Sequence, residues 1–335
     1  MTVTRVQQLP ATGSGLESAE RELRPPGRGE VVVAVEACGV CHSDIFSAQM
    51  AASYPIVPGH EIAGVVEAVG DGVDAWAPGD RVGVGWFGGI DRTCPSCRSG
   101  DFIDCVNLRV PGLAYDGGYA ERVVVPEEAL AAVPDDLTSV EAAPLMCAGV
   151  TTFNGLRSSP ARAGDLVAVL GLGGLGHLGV QFANRMGFET VAIARGEDKE
   201  APARQLGAHH YIDSNVTDVA TALQALGGAR VILSTVTNAA AMAATIGGLG
   251  PRGQLVVLGV DMEPIPVLPP VLVGQSRSVA GHPSGTSKDS EDTLRFAALT
   301  GVRPMVETMP LSEAPRAWER MLSGQARFRV VLTNS

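Results

Sequence analysis

The chain has 335 residues, and 36 Asp and Glu against 25 Lys and Arg give a formal net charge of −11. That length implies two domains, and 45% apolar against 18% charged residues supplies a large core and argues against disorder. The acidic balance argues against a nucleic-acid or anionic-membrane partner, which would select a basic surface.

Residues 1–148 read as mostly β. Apolar runs at 31–35 and 62–69 are strands, and Gly70-Asp71-Gly72 turns the chain after the second. Pro78-Gly79-Asp80 turns it again into a strand at 81–84, and 119–125 is a further strand stopped by Pro126. Short strands with Gly and Pro turns predict a small barrel-like β domain. From residue 150 the pattern alternates. Strands are predicted at 166–170, 190–194, 211–213, 230–234 and 254–258, with helices at 177–186, 198–206, 217–226 and 238–246. Such βαβ alternation predicts a doubly wound parallel sheet. The last 55 residues fit neither pattern; helices at 290–299 and 313–322 and a strand at 330–333 are expected. No internal repeat or low-complexity tract is visible.

Six cysteines are too few to staple a chain this long. No charged segment followed by an apolar one opens the chain, and no apolar run reaches membrane-spanning length, so a cytoplasmic location is expected. Reduced thiols there are more often metal ligands or catalytic groups than bridges.

Gly171-Leu172-Gly173-Gly174-Leu175-Gly176 matches G-x-G-x-x-G between a strand and a helix, the context in which a dinucleotide pyrophosphate is held. Gly171, Gly173, Gly174 and Gly176 are therefore cofactor-binding candidates, with a plain glycine turn as the alternative. A carboxylate at the end of the second strand would favour NAD, but Ala194-Arg195-Gly196 stands there. Arg195 suits the 2′-phosphate of NADP, so NADP(H) is favoured over NAD(H), although Glu197 and Asp198 oppose that charge.

Cys41-His42-Ser43-Asp44 and Pro58-Gly59-His60-Glu61 bring zinc-ligand types into the β-rich half. Asp44 is a candidate partner for the distal ring nitrogen of His60. Spacing alone does not make Cys41 and His60 meet; a redox Cys38/Cys41 pair and a satisfied core histidine are the alternatives. Cys94, Cys97 and Cys105 lie within twelve residues and signal a structural metal lobe. Asp91, three residues before Cys94, is the candidate fourth ligand, against an empty loop with vestigial thiols.

These segments together resemble the zinc-dependent medium-chain alcohol dehydrogenases over nearly the whole chain. The match also takes in Asp116-Gly117-Gly118-Tyr119-Ala120-Glu121 and Cys147-Ala148-Gly149-Val150-Thr151. The resemblance implies a GroES-like catalytic domain over 1–148, containing the 91–105 lobe. A Rossmann domain over 149–279 and a return to the catalytic domain over 280–335 complete it. It implies a catalytic zinc on Cys41, His60 and Cys147, a choice no spacing would have made, with Glu61 able to approach the metal. Cys38 is left as a core thiol. Ser43 then bridges substrate and nicotinamide ribose, His42 and Arg329 touch the pyrophosphate, and Thr151 contacts the nicotinamide. Trp86 and Phe46 line the substrate pocket. Three departures stand out. Asp91 replaces a structural cysteine, Phe46 replaces a relay histidine, and the stretch from Cys41 to His60 is short.

The implied activity is reversible hydride transfer between a primary or secondary alcohol and NAD(P), giving an aldehyde or ketone, in a homodimer or homotetramer meeting near strands at 271–280. Two rivals remain. A zinc-free quinone or alkene reductase on the same fold would not need Cys41, His60 and Cys147 together. A non-enzymatic thiol or metal sensor would reduce no cofactor in the presence of alcohols.

Overall fold

The apolar run at 31–35 is the middle of a longer strand, Glu30–Val40, in the computed structural model, which describes residues 2–334. These residues divide into two units. One runs from the N-terminus to Val150 and resumes at Ser284; the other is Thr151–Pro283.

Glu30–Val40 organises the first unit. β-Branched valines suit a pleated strand buried on both sides, and two register irregularities, at Val32/Val33 and Val35/Ala37, bend it. Ile62–Val69 pairs along most of its length. On the other edge, Arg122–Pro126 pairs with residues 30–34 and Arg329–Thr333 with residues 37–40. One edge of this bent strand therefore receives both Arg122–Pro126 and the C-terminal segment. The sheet continues through Arg81–Val84 and Leu130–Ala132, and Val306–Pro310 adds to Arg329–Thr333. Val31, Val33, Ile62, Val66, Val82, Val84, Val123 and Val125 share one core with Val330, Leu332, Ala314 and Ala317.

Three features differ from expectation here. A hairpin of Thr2–Gln8 and Glu17–Leu23 precedes everything predicted; Glu17–Leu23 is too polar and too exposed to read as a strand. The strand expected at 119–125 is Arg122–Pro126. Residues 117–119 instead spend their N–H groups on the 57–59 loop, donating to Val57, Gly59 and Pro58 carbonyls at 2.7, 2.9 and 2.9 Å. A strand at Val306–Pro310 was also unforeseen.

The second unit is a six-stranded parallel sheet in the order His210–Asp213, Glu189–Ala194, Leu166–Leu170, Ala229–Ser234, Leu249–Val257, Ser278–Gly281. Leu166–Leu170 is buried at every position, as a central parallel strand covered on both faces must be. The order reverses between Leu166–Leu170 and Ala229–Ser234, where doubly wound sheets bind ligands. The strands expected near 271–280 are corrected: Pro269–Val273 is a short helix opened by prolines at its first positions, and only Ser278–Gly281 is strand. Among the described residues no helix is long and apolar enough to cross a membrane.

Candidate metal centre and cofactor loop

Four donors from three separate stretches of the first unit converge. One ligand atom each of Cys41, His60, Glu61 and Cys147 lie within 4.8 Å of one another. Cys41 follows the central strand and caps the single turn His42–Asp44, where Asp44 Oδ2 accepts its N–H at 2.9 Å. His60 and Glu61 lead into Ile62–Val69. Cys147 sits in a π turn, Leu145–Gly149, that follows Pro144; such turns often mark functional sites.

The donor set fits a zinc ion. His60 is 2% exposed, and its Nε2 has no hydrogen-bond partner, a cost of about 1–3 kcal/mol unless something binds there. Its Nδ1 lies 2.9 Å from Asp44 Oδ1, which points the free nitrogen at the thiols. Two sulfurs bound at about 2.3 Å to a tetrahedral ion stand about 3.8 Å apart; Cys41 Sγ and Cys147 Sγ are 3.9 Å apart. Hydrogen bonding from Cys147 and the His60 charge pull the Cys41 thiol well below its ordinary range, and the same hydrogen bond with burial pushes Cys147 well above. A bound cation would take both as thiolates. Burial disfavours a charged His60, yet Asp44 and Cys41 outweigh it and raise its proton affinity.

Burial likewise raises the Glu61 carboxyl to about 8, against the opposing pull of Arg329. Glu61 Oε1 pairs with Arg329, whose other contact is the Val40 carbonyl at 3.1 Å. Arg329, expected at a pyrophosphate, is thus 5% exposed with its charge directed at Glu61. Glu61 fits because residue 39 is glycine: a Cβ there would stand 1.9 Å from Glu61 Oε2. Trp86 meets the His60 ring edge-on, centroids 4.9 Å apart.

A second cluster brings Asp91, Cys94, Cys97 and Cys105 within the same 4.8 Å. Cys94 caps the short helix Pro95–Ser99, which carries Cys97 inward, and Cys94 Sγ is 4.0 Å from Cys105 Sγ. Asp91 Oδ1 accepts the N–H groups of Cys94 and Thr93 at 2.9 and 2.8 Å, and Oδ2 accepts Asn107 Nδ2 at 2.6 Å. Those donors hold its carboxyl well below the usual range, so it is an anionic oxygen donor. The Cys97 N–H draws Cys94 down, while burial pushes Cys97 to about 12. Sequence reasoning missed Asn107, for which spacing carries no signal.

The glycine loop lies in the second unit. It leaves the carboxyl end of Leu166–Leu170 and opens the helix Gly176–Arg185. Gly171 has φ +97°, and a Cβ on Gly176 would stand 1.9 Å from the Gly171 carbonyl, so the turn tolerates no side chain there. A Cβ on Gly173 would meet nothing within 4 Å, which leaves open space over the loop for a phosphate. His177 is fully buried and its Nδ1 donates to the Gly173 carbonyl at 3.1 Å, bracing the loop.

The family profile described as "Alcohol dehydrogenase GroES-like domain" matches residues 27–135, and that described as "Zinc-binding dehydrogenase" matches 174–298. A Penicillium expansum alcohol dehydrogenase is 46% identical over 96% of this chain and 95% of its own length. The chain belongs to the zinc-type medium-chain dehydrogenase/reductase family. It is an oxidoreductase of the alcohol dehydrogenase type, with a GroES-like domain and a Rossmann-type parallel sheet. Among solved members of this dehydrogenase family, the Helicobacter pylori CAD complexed with NADP(H) aligns at TM-score 0.87 and 28% identity, covering 99% of this chain and 98% of its own. An NAD-dependent alcohol dehydrogenase aligns at TM-score 0.90 and 28% identity, covering 99% and 100%.

Ser43 and Phe46 are half-buried and His42 exposed, all on the stretch just after Cys41. Thr151 is half-buried in the helix Val150–Arg157. Arg195 is exposed at the end of Glu189–Ala194, with no ion-pair partner among the described residues. Cys38 is a buried thiol, and burial pushes it well above its ordinary range.

Proposed function

We propose that this chain interconverts a primary or secondary alcohol and its aldehyde or ketone with NADP(H) preferred over NAD(H), in the cytoplasm, as a homodimer or homotetramer. The observation that carries the reading is the buried set Cys41, His60, Glu61 and Cys147, with an imidazole nitrogen left unpartnered.

Bound at this site, zinc supplies Lewis-acid polarisation of the substrate oxygen, and the nicotinamide supplies the hydride acceptor or donor. Cys41 and Cys147 hold the ion as thiolates, and His60 binds it through Nε2. Asp44 keeps the His60 proton on Nδ1. Glu61 stands beside them as a reserve ligand, held off by Arg329. Ser43 Oγ would accept the hydroxyl proton of the alcohol while passing its own proton to the nicotinamide ribose hydroxyl and so to solvent, and the relay runs backwards in reduction. Phe46 carries no proton, so the proton leaves without help from side chain 46. Trp86 and Phe46 present apolar surface to the substrate carbon chain. His42, Thr151, Gly171, Gly173, Gly174 and Gly176 bind the dinucleotide. A structural zinc on Asp91, Cys94, Cys97 and Cys105 completes the metal content.

Two observations support NADP(H). Arg195 has no ion-pair partner among the described residues and stands at the end of the second sheet strand, where a ribose-binding carboxylate would favour NAD. The nearby Asp213 is committed to backbone, its Oδ1 accepting the N–H groups of Gly196 and Asn215 at 2.9 Å each. Arg195→Ala is expected to raise KM for NADP roughly 10- to 100-fold, the worth of a charge-assisted phosphate contact, and to leave KM for NAD unchanged. Equal effects on both cofactors would rule out a 2′-phosphate contact. Ser278–Gly281 is paired on one side only and Leu268 and Val273 are exposed, which supports assembly through that edge. Six free, buried cysteines suit a reducing compartment. A panel of alcohols assayed with NADP and NAD, with metal content measured on the same protein, tests the whole reading. Cofactor reduction by no alcohol would overturn it.

A further inference from the structure

Tyr119 is fully buried and ranks among the largest wholly enclosed side chains of the protein. Its hydroxyl donates to Asp44 Oδ2 at 2.9 Å. The same oxygen accepts the Cys41 N–H at 2.9 Å, while the other oxygen, Oδ1, faces His60 Nδ1 at 2.9 Å. A single buried carboxylate thus touches two of the three expected metal ligands, one by its backbone and one by its ring.

Nothing else about Tyr119 calls for a hydroxyl. Its ring is held by shape. Gly59 has φ +103°, and a Cβ there would stand 2.5 Å from Tyr119 Cδ1. Trp318 packs edge-on, centroids 6.3 Å apart. The Tyr119 N–H donates to the Pro58 carbonyl, two residues before His60. Phenylalanine would satisfy every one of these contacts.

We propose that Tyr119 is a positioning residue for the metal centre, whose hydroxyl fixes the rotation of Asp44 so that one oxygen aims the His60 ring and the other braces Cys41. The physical basis is the scarcity of donors around a buried carboxylate. Asp44 is 1% exposed, so water does not replace a lost partner. Without the phenol, Oδ2 keeps only the Cys41 N–H, and the carboxylate turns away from Nδ1. The His60 ring then loses its fixed orientation, and Nε2 no longer points at a constant place. Outer partners of ligating histidines are worth roughly 10- to 100-fold in metal affinity.

The inference rests on Cys41, His60 and Cys147 being ligands, and the experiment separates the two claims. The metal missing from Cys41→Ser, counted by mass spectrometry, defines the catalytic ion. Full metal content in that variant would overturn the ligand reading itself. Given that ion, Tyr119→Phe is compared with the unaltered protein for metal release to a chromogenic chelator and for the visible spectrum after cobalt substitution. The expected result is release about 10- to 100-fold faster with a shifted thiolate-to-cobalt band, at little cost in thermal stability. Trp318→Phe disturbs the packing of the Tyr119 ring and leaves its hydroxyl; release and spectrum are expected to stay as in the unaltered protein. Unchanged release and spectrum in Tyr119→Phe would overturn the proposal. So would an equal shift in Trp318→Phe, which would make Tyr119 a packing residue only.

Discussion

Cys41→Ser is expected to lower kcat at least about a thousandfold while leaving cofactor affinity unchanged. The loss follows from what a metal is worth at this site: several kcal/mol of transition-state charge stabilisation, at about 1.4 kcal/mol per factor of ten. Serine keeps the size but not the charge. The Cys41 thiol is already drawn well below its ordinary range by Cys147, His60 and Arg329, whereas a serine hydroxyl stays protonated at any working pH. The substitution therefore leaves Cys147 and His60 to hold a dication alone. The cofactor loop is built from the second unit's own residues, with Gly171 and Gly176 shaping the turn and His177 bracing it. Nothing in that loop depends on residue 41. Titration of NADPH fluorescence against the variant checks the second half of the expectation; metal content and turnover check the first. Normal turnover would end the zinc mechanism.

Asp91→Ala is expected to cost one metal ion per chain and to open the 91–105 lobe to proteolysis. The lobe has little else to hold it. Its regular structure is the helix Pro95–Ser99 and the single turn Phe102–Asp104, and its apolar contacts are three thiols with Ile90 and Leu108. A segment so small gains its order from a closed metal site. Alanine removes the anionic donor and also the acceptor for the Thr93, Cys94 and Asn107 donors. The three remaining thiols include Cys97, whose thiolate burial disfavours. A fall in Tm of about 5 °C or more is expected, since 1 kcal/mol moves a domain of this size by roughly 2–4 °C. Asp91→Cys restores a fourth donor and is expected to retain the ion. Unaltered metal content and an unaltered digestion pattern in Asp91→Ala would mean that the lobe holds itself together without a metal.

Much of the architecture was legible because burial writes itself into residue order. A parallel strand covered on both faces must be apolar throughout, so Leu166–Leu170 and Ala229–Ser234 stand out from their flanks. Glycines at 171 and 176 stand out because a tight turn and a close carbonyl leave no alternative. The hairpin Thr2–Gln8 with Glu17–Leu23 was hidden because its second strand is almost wholly solvent-facing, and exposed strands carry no apolar alternation to read. Pro269–Val273 is helix where strand is expected, because a short apolar run has no period of its own.

The sequence by itself determined the two kinds of sheet, the donor types and the cofactor loop, because each depends on local burial or local backbone geometry. It also carried the resemblance that picked out Cys147. Only the tertiary structure decided which donors meet. Cys147 lies 106 residues from Cys41, yet their sulfurs are 3.9 Å apart. Arg329 pairs with Glu61 across 268 residues because Arg329–Thr333 returns to the central strand. Tyr119 reaches Asp44 because residues 117–119 give their N–H groups to the 57–59 loop instead of to a strand. Such contacts come from strand pairing and loop docking, which bring distant residues together without leaving a trace in spacing.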